Sequence, residues 1–419
     1  VESMSASFDD AVNAGGEEES ILEDPGADAY DTKEGMGDYF NYPLVLQVHT
    51  SDGAMKFVST YQPDCISEAS VMTMHRHLAH IVDQLLSQSA TSVAKISVAG
   101  PWDIQRAISF NAEPPEIMKT TFHQMFARQA RATPDAVAVR AHDGIFTYAE
   151  LEEAANRYAH MLIRDEGVKA RDLVHVCFQK SIWYVVAILA VNKAGAAWVP
   201  LDPAHPAERL KQLVSSTKAK LAIVSQANVA LMLDIIERTV EVSAKSYAHL
   251  LSNHENGNDD VAPQINVLPD DAIYVLFTSG STGTPKGLVM EHQSVCTSQV
   301  AIAQRLGMTP SVNILQFSAF VFDVSVGEII GPLITGATVC IPSDDDRTGD
   351  LAFFINSANV NWAYLTPSFA RTLNIEELPT LELLIVCGEA PNRDVLDQFY
   401  GRVRLLNGWG PAETCCMSS

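Results

Sequence analysis

The sequence predicts an α/β fold, a large core of mostly parallel sheets flanked by helices, preceded by a smaller α+β segment. Three observations carry that expectation. From residue 121 onward, short runs at 173–178, 197–201, 221–225, 273–277, 338–341, 383–387 and 403–406 are separated mostly by helical segments, the alternation that builds βαβ units. These runs are largely apolar along their length, as strands covered on both faces are. Before residue 99 the pattern changes to a single hairpin and an amphipathic helix. No internal repeat is present.

Taken in order, residues 1–41 read as a flexible acidic insertion. Residues 1–40 hold 12 Asp/Glu against one Lys, with turn formers and no apolar period. A solvated stretch is expected there, not a metal site. Residues 42–98 begin with alternating Leu44, Leu46 and Val48, a Ser51-Asp52-Gly53 turn and a return from Phe57 to Tyr61, the signature of a hairpin. Ser67 can cap a helix whose apolar positions Val71, Met74, Leu78, Ile81, Val82 and Leu85 follow a 3–4 spacing. His75, His77 and His80 on that helix are expected to be ordinary surface histidines, since His75 and His77 face different directions and no ligand follows at i+4. Prolines and a composition shift mark 99–120 as a linker. The core, 121–419, opens with a helix from Tyr148 that places Leu151, Ala155, Tyr158 and Leu162 on one face.

Composition narrows the function. The 419 residues are 47% hydrophobic and 19% charged, and 51 acidic against 28 basic residues give a net charge of −23. That sign argues against nucleic acid as a partner, because a nucleic-acid wrapper needs a basic face. The longest apolar stretch, 183–191, ends at Asn192 and Lys193, short of the ~20 residues a bilayer span needs. No membrane partner is expected. Seven cysteines (Cys65, Cys177, Cys296, Cys340, Cys387, Cys415 and Cys416) show no CxxC spacing, so a reduced, cytoplasmic setting is expected rather than a disulfide framework. The chain opens on Val1 with no charged-then-apolar leader and reads as an internal piece of something longer.

The run Thr278-Ser279-Gly280-Ser281-Thr282-Gly283-Thr284-Pro285-Lys286-Gly287 directly follows the apolar strand 273–277. Its glycines free the backbone, and its N–H groups and hydroxyls can wrap a polyphosphate while Lys286 adds positive charge. It is not a Walker A loop, since Pro285 and Gly287 stand where that motif needs Gly and Ser/Thr. A polar surface turn is the bland alternative.

This run resembles the phosphate-binding loop of the adenylate-forming enzymes: acyl-CoA synthetases, luciferases and the adenylation domains of nonribosomal peptide synthetases. Four further motifs resemble that family in its own order. They are Phe146-Thr147-Tyr148-Ala149-Glu150-Leu151, the stretch Asn192-Lys193-Ala194-Gly195-Ala196-Ala197-Trp198-Val199-Pro200-Leu201-Asp202, Phe322-Asp323-Val324-Ser325, and Asn407-Gly408-Trp409-Gly410-Pro411-Ala412-Glu413-Thr414. An aspartate opening the third resembles the peptide synthetase branch, where it holds the substrate's α-ammonium; a buried carboxylate pairs well with a fixed cation. Ser325 and Glu328 also read as a capping box for the helix that follows. The segment 42–111 resembles the last part of a condensation domain running into its linker, and the overall wording resembles fungal synthetases.

The resemblance implies activation of an amino acid as aminoacyl-AMP with MgATP, releasing pyrophosphate, for loading onto a phosphopantetheinyl carrier domain. Its partners would be the carrier and condensation domains of the same synthetase. By the same resemblance Thr278, Ser279, Gly280, Ser281, Thr282, Gly283 and Lys286 hold the phosphates. Gly388, Glu389, Ala390, Asn407, Trp409 and Gly410 border the nucleotide, with Trp409 stacking on adenine in place of a Tyr. Glu413 holds Mg²⁺ and, with Lys286, is catalytic. Ala412 stands where the family has a Thr that touches the α-phosphate, a lost bond worth roughly 1.5–3 kcal/mol. The substrate pocket is assigned to Asp323, Val324, Gly327, Tyr364, Ile385, Cys387, Gly408, Cys416 and Met417. Beyond Asp323 none of these is charged, which favours a neutral, largely apolar amino acid. The family's small C-terminal subdomain, with its lysine, is not in the chain, nor is a condensation domain's HHxxxDG motif. The alternatives are an aryl or acyl acid ligase and a degenerate, non-catalytic module.

Overall fold

The computed structural model describes residues 2–7, 42–51, 54–87, 92–110, 112–253, 259–278 and 285–417. The chain forms two compact units, Val1–Pro114 and Pro115–Ser419. Most of the acidic stretch, 8–41, lies outside the described residues, as do 279–284 in the glycine-rich loop.

The smaller unit corrects three expectations. Glu2–Ser7 (β1) is a strand, not part of an open acidic loop; it pairs antiparallel with Ala54–Tyr61 (β3), which also pairs with Leu44–Ser51 (β2). The helix Glu68–Ser87 follows, with Ser67 Oγ accepting from Ser70 N at 3.2 Å. His75 is buried at 1% exposure rather than on the surface, its Nε2 2.7 Å from Ser59 Oγ, and burial lowers its pKa. It lies on the same helix face as the buried Val71 and Ala79, where the 3–4 period puts it. The stretch expected to be an open linker contains a helix, Pro101–Phe110. Its Asp103 meets His77 Nε2 at 2.9 Å and caps Gly100 N.

The larger unit contains two sheets. One has six strands in the order β11-β10-β7-β6-β8-β9. These are Leu173–Cys177 (β6), Ala197–Leu201 (β7), Leu221–Val224 (β8), Arg238–Glu241 (β9), Ala272–Thr278 (β10) and Lys286–Glu291 (β11). All pairs are parallel except β10 with β11. The other has seven strands in the order β16-β15-β14-β12-β13-β4-β5. These are Val137–Ala141 (β4), Gly144–Thr147 (β5), Asn313–Leu315 (β12), Thr338–Ile341 (β13), Trp362–Leu365 (β14), Leu383–Cys387 (β15) and Arg404–Gly408 (β16). Here only β4 with β5 is antiparallel.

The helix Tyr148–Arg164 begins at a capping box. Thr147 Oγ1 accepts from Glu150 N at 3.2 Å, and the Glu150 carboxylate accepts from Thr147 N at 2.8 Å. Leu151, Ala155, Tyr158 and Leu162 are all buried. The helix Ile182–Lys193 is buried at every position and touches β6 and β7 of one sheet and β4 of the other. An all-round apolar helix of this length belongs in a core. Among the described residues no helix is long and apolar enough to cross a membrane.

Gly195 turns the chain from that helix into β7. Its φ is +84°, and a Cβ there would lie 2.8 Å from Ile265 Cγ2 and 3.2 Å from Ala170 Cα. Gly195→Ala is therefore expected to destabilise the larger unit by about 2–4 kcal/mol, combining left-handed strain with overpacking. Urea unfolding followed by circular dichroism checks this; an unchanged midpoint would refute it.

Candidate functional site

The carboxyl ends of parallel strands are where open α/β sheets bind ligands, and the predicted site residues gather at such ends. Tyr364 in β14 sits opposite Ile385 in β15, and Cys387 at the end of β15 sits opposite Gly408 at the end of β16. A Cβ on Gly408 would lie 2.9 Å from both Ile385 Cγ2 and Met417 Sδ, and 3.5 Å from Cys387 Cβ. A Cβ on Gly327 would lie 3.0 Å from Cys416 Sγ. These two contact sets bring Ile385, Cys387, Gly408 and Met417 together, and Gly327 with Cys416. Cys415 and Cys416 carry left-handed φ of 62° and 83°, uncommon for non-glycine residues. Gln299 Nε2 and Ser298 Oγ donate to the Cys415 carbonyl at 3.4 and 3.3 Å and help hold the bend.

Asp323 is the N-cap of the helix Val324–Thr335, so Val324 and Gly327 fall in its first turns. Burial raises its pKa; the Val324 N–H opposes that shift and the nearby Glu413 carboxylate adds to it. Among the described residues no cationic side chain lies within ion-pair distance of Asp323. Glu413 is exposed in the turn Ala412–Thr414, next to Ala412.

The capping-box expectation is corrected here. Ser325 Oγ donates to Phe322 O at 2.6 Å and Phe320 O at 3.3 Å instead of capping. Glu328 is fully buried and points away from the helix start, accepting from Gln316 Nε2 at 2.8 Å, Ser318 N at 3.1 Å and Phe317 N at 3.2 Å. A carboxylate buried in an apolar helix takes donors wherever they are concentrated, and here they lie in the preceding loop. Lys180 complements it from another element: Nζ donates to Gln316 Oε1 at 2.6 Å and to Ser318 O. Burial pushes the Glu328 pKa up and the Lys180 pKa down, and each charge opposes the shift of the other. The sequence reading missed Lys180 and gave Glu328 the wrong role. Their signals were a lone acid inside the apolar run 324–334 and a lysine two residues before the buried helix.

The nucleotide-side residues are open. Thr278 ends β10 opposite Lys286, the first residue of β11. Ser279, Gly280, Ser281, Thr282 and Gly283 lie outside the described residues. Lys286, Gly388, Glu389, Ala390, Asn407 and Trp409 are exposed, Trp409 at 70%, and Gly410 is half-buried. Gly388 has φ +82°, and Glu389 accepts from Ser368 N at 3.1 Å.

Among the described residues no cluster of three metal-ligating side chains exists. A single exposed carboxylate such as Glu413 fits Mg²⁺ all the same, because that ion keeps water and phosphate oxygens in its shell and needs only one or two carboxylates.

Burial pushes the Cys387 thiol up to about 12 and raises those of Cys415 and Cys416, so the three stay protonated and inert near neutral pH. Cys65 alone of the seven is exposed. Thiol titration of the native protein with an aromatic disulfide at pH 8 is expected to show one fast-reacting group, lost in Cys65→Ser, and all seven after denaturation. Fast reaction of two or more would contradict the burial of the pocket thiols.

Residues 126–419 match the family described as AMP-binding enzyme, and the chain belongs to that family. It is 37% identical over 385 residues to the nonribosomal peptide synthetase TES of Alternaria alternata, a match covering 92% of this chain and 7% of TES. The nonribosomal peptide synthetase 5 of Gibberella zeae is 35% identical over 390 residues, covering 92% of this chain and 3% of that protein. The chain thus spans a small part of these relatives. Among solved structures, the nonribosomal peptide synthetase FmoA3 in its alpha-methyl-L-serine-AMP bound form superposes with a TM-score of 0.65 at 25% identity, covering 90% of this chain and 44% of that one. Its AMPPNP-bound form gives 0.66.

Proposed function

We propose that this AMP-binding enzyme activates an amino acid as aminoacyl-AMP within a nonribosomal peptide synthetase. The observation that carries the reading is Asp323. Its carboxylate opens the pocket, is partly buried, has its pKa raised by that burial, and has no cationic partner among the described residues. An α-ammonium would supply the missing charge.

The chemistry needs little covalent work from the protein. A carboxylate oxygen of the amino acid attacks the α-phosphorus of ATP, the bond to the bridging oxygen breaks, and pyrophosphate leaves with that electron pair. Positioning and charge neutralisation lower the barrier. Asp323 orients the ammonium end, and the side chain would lie against Tyr364, Ile385, Cys387, Cys416 and Met417. That lining favours a neutral, largely apolar substrate. Lys286 and the loop beginning at Thr278 take the phosphates, Trp409 offers an open aromatic face to adenine, and Glu413 would hold Mg²⁺. Bound Mg²⁺ supplies neutralisation of the phosphate charge. The aminoacyl group would then pass to the phosphopantetheine of a carrier domain. The match to TES covers 92% of the chain, more than the AMP-binding family match at 126–419, which supports reading the smaller unit as the end of a condensation domain.

ATP–pyrophosphate exchange tests this, using the intact polypeptide that contains this chain and a panel of amino, aryl and fatty acids. Exchange with one neutral amino acid, lost in Asp323→Ala and Lys286→Ala, is the expected result. Exchange only with acids lacking an α-amine would overturn the amino-acid reading. Silence throughout, restored by Ala412→Thr, would identify a decayed module.

The raised Asp323 pKa gives a further expectation. The ammonium binds the ionised carboxylate, so amino-acid affinity is full at neutral pH. It falls as pH drops through a pKa above the usual aspartate value. A pH series should show amino-acid KM rising at a higher pH than an ordinary aspartate would give, with Asp323→Asn removing the dependence. A flat amino-acid KM down to pH 4 would contradict it.

A further inference from the structure

We propose that Lys180 and Glu328, joined through Gln316, are positioning residues that fix Asp323 and thereby set the discrimination between an amino acid and an acid lacking the α-amine. This rests on the adenylation reading above and names the device behind its substrate recognition.

The segment between β12 and the helix Val324–Thr335 has to cross the site in one conformation, because Asp323 is its last residue before that helix. Two buried charges hold it at the same two residues, Gln316 and Ser318. Glu328, with no exposed surface, accepts the N–H groups of Phe317 and Ser318 and the amide of Gln316. Lys180, 6% exposed, donates to the carbonyl oxygens of the same Gln316 side chain and of Ser318. Gln316 is itself fully buried and is the one side chain bonded to both. Further along, Lys180 Nζ lies 4.6 Å from the centre of the Phe320 ring, whose other contact is the Tyr184 ring stacked at 3.6 Å and 4°. Ser325 Oγ then ties the carbonyls of Phe320 and Phe322. Every anchor converges on residues 316–322, and Asp323 follows.

Neither charged group is exposed to solvent: Glu328 has no exposed surface and Lys180 is 6% exposed. Burying two charges that meet only through an amide is costly, and apolar replacements of similar volume commonly fold as well or better. Where such a network is fully satisfied it fixes one arrangement out of several. The pocket also feels Glu328: its charge contributes to the raised pKa values of Tyr364, Cys387 and Cys416. The acid therefore acts on the pocket both by holding the loop and by biasing the field toward a cationic group.

The test is pyrophosphate exchange by the intact polypeptide, comparing the accepted amino acid with its des-amino analogue. The forms measured are wild type, Glu328→Gln, Lys180→Met and their combination, with Lys180→Arg as the conservative control. Glu328→Gln keeps an acceptor oxygen but removes the charge. The expected result is a rise of about tenfold or more in amino-acid KM, ATP KM within twofold, and a matching loss of preference for the amino acid over its analogue. The two changes combined should cost no more than the worse single one, because both act through one loop. Lys180→Arg should recover much of the preference. If both substrates lose activity in parallel, or if the preference is unchanged, the network only supports folding and the proposal fails. Should Glu328→Gln fail to fold, Lys180→Met and Gln316→Met carry the same readout. A wild type that exchanges with no amino acid would instead overturn the adenylation reading on which this rests.

Discussion

A helix with no exposed face needs partners for the polar groups it carries, and the segment Ile182–Lys193 is anchored by polar contacts at its two ends, with Asn192 Oδ1 and the second oxygen of its partner Glu152 left without a hydrogen bond. At its start, Asp143 accepts from Ser181 Oγ at 2.6 Å and Ile182 N at 3.1 Å. At its finish, Lys193 Nζ meets Glu152 at 2.7 Å, and Asn192 Nδ2 donates to Ala196 O at 3.0 Å and Ile273 O at 3.1 Å. These bonds are more than satisfied polar atoms. Ile273 belongs to β10, which runs directly to Thr278. Lys180, two residues before the helix, reaches Gln316 and the loop that ends at Asp323. One buried helix thus bonds to β10 through Asn192 at one end, and Lys180 just before its other end bonds to the loop before Asp323.

The strands divide the remaining work. β14, β15 and β16 run parallel in consecutive positions, so equivalent rows end at the same level. Tyr364, Ile385, Cys387 and Gly408 come from those rows, and their spacing follows from strand geometry rather than from loop conformation. Loops supply what must stay accessible, namely Gly388, Glu389, Ala390 and Trp409. Close packing is what the two glycines permit: at Gly327 and Gly408 even one added carbon would touch Cys416, or Ile385 and Met417. Buried sulfur and methyl groups complete the wall, and burial keeps the thiols there protonated.

Much of this was legible in the sequence because buried parallel strands are apolar runs with little polar interruption. All seven of the runs named from the sequence are strands, with ends shifted by two residues at most. Six described strands of the larger unit escaped notice, β4, β5, β9, β11, β12 and β14, and only some are short or polar, since β14 is the buried Trp-Ala-Tyr-Leu. β12 has three residues and begins with Asn313, β9 is Arg-Thr-Val-Glu, and β11 begins with the Lys286 and Gly287 that the loop motif had claimed. β1 was hidden because its serines and single glutamate resemble the acidic stretch around them. His75 looked like one of a surface triplet, yet the 3–4 period that buried Val71 and Ala79 buried it too. Glu328 was misread for a related reason. A Ser-x-x-Glu spacing specifies a capping box only when the serine precedes the helix, and this helix already begins at Val324. Which donors would meet the carboxylate depended on a loop 10–12 residues earlier in the chain. No local pattern encodes that.

The electrostatic balance of the site explains why these carboxylates can coexist. Asp323 feels Glu413 as well as burial, and the Glu328 charge reaches Tyr364, Cys387 and Cys416. Lys180 is committed to Gln316 and Ser318, so it offers an incoming ligand nothing. A simple carboxylic acid and a bare polyphosphate would each add charge of the sign already present. On the proposed reading, the compensating cations arrive with the ligands: the ammonium at Asp323 and the metal ion at Glu413, with Lys286 left for the phosphates. An acid without its amine would leave Asp323 uncompensated in a partly buried place, a penalty that matching side-chain volume cannot offset. Selectivity for an amino acid then follows from a deliberate shortage of positive charge in the empty pocket, held in place by a loop that cannot relax away from it.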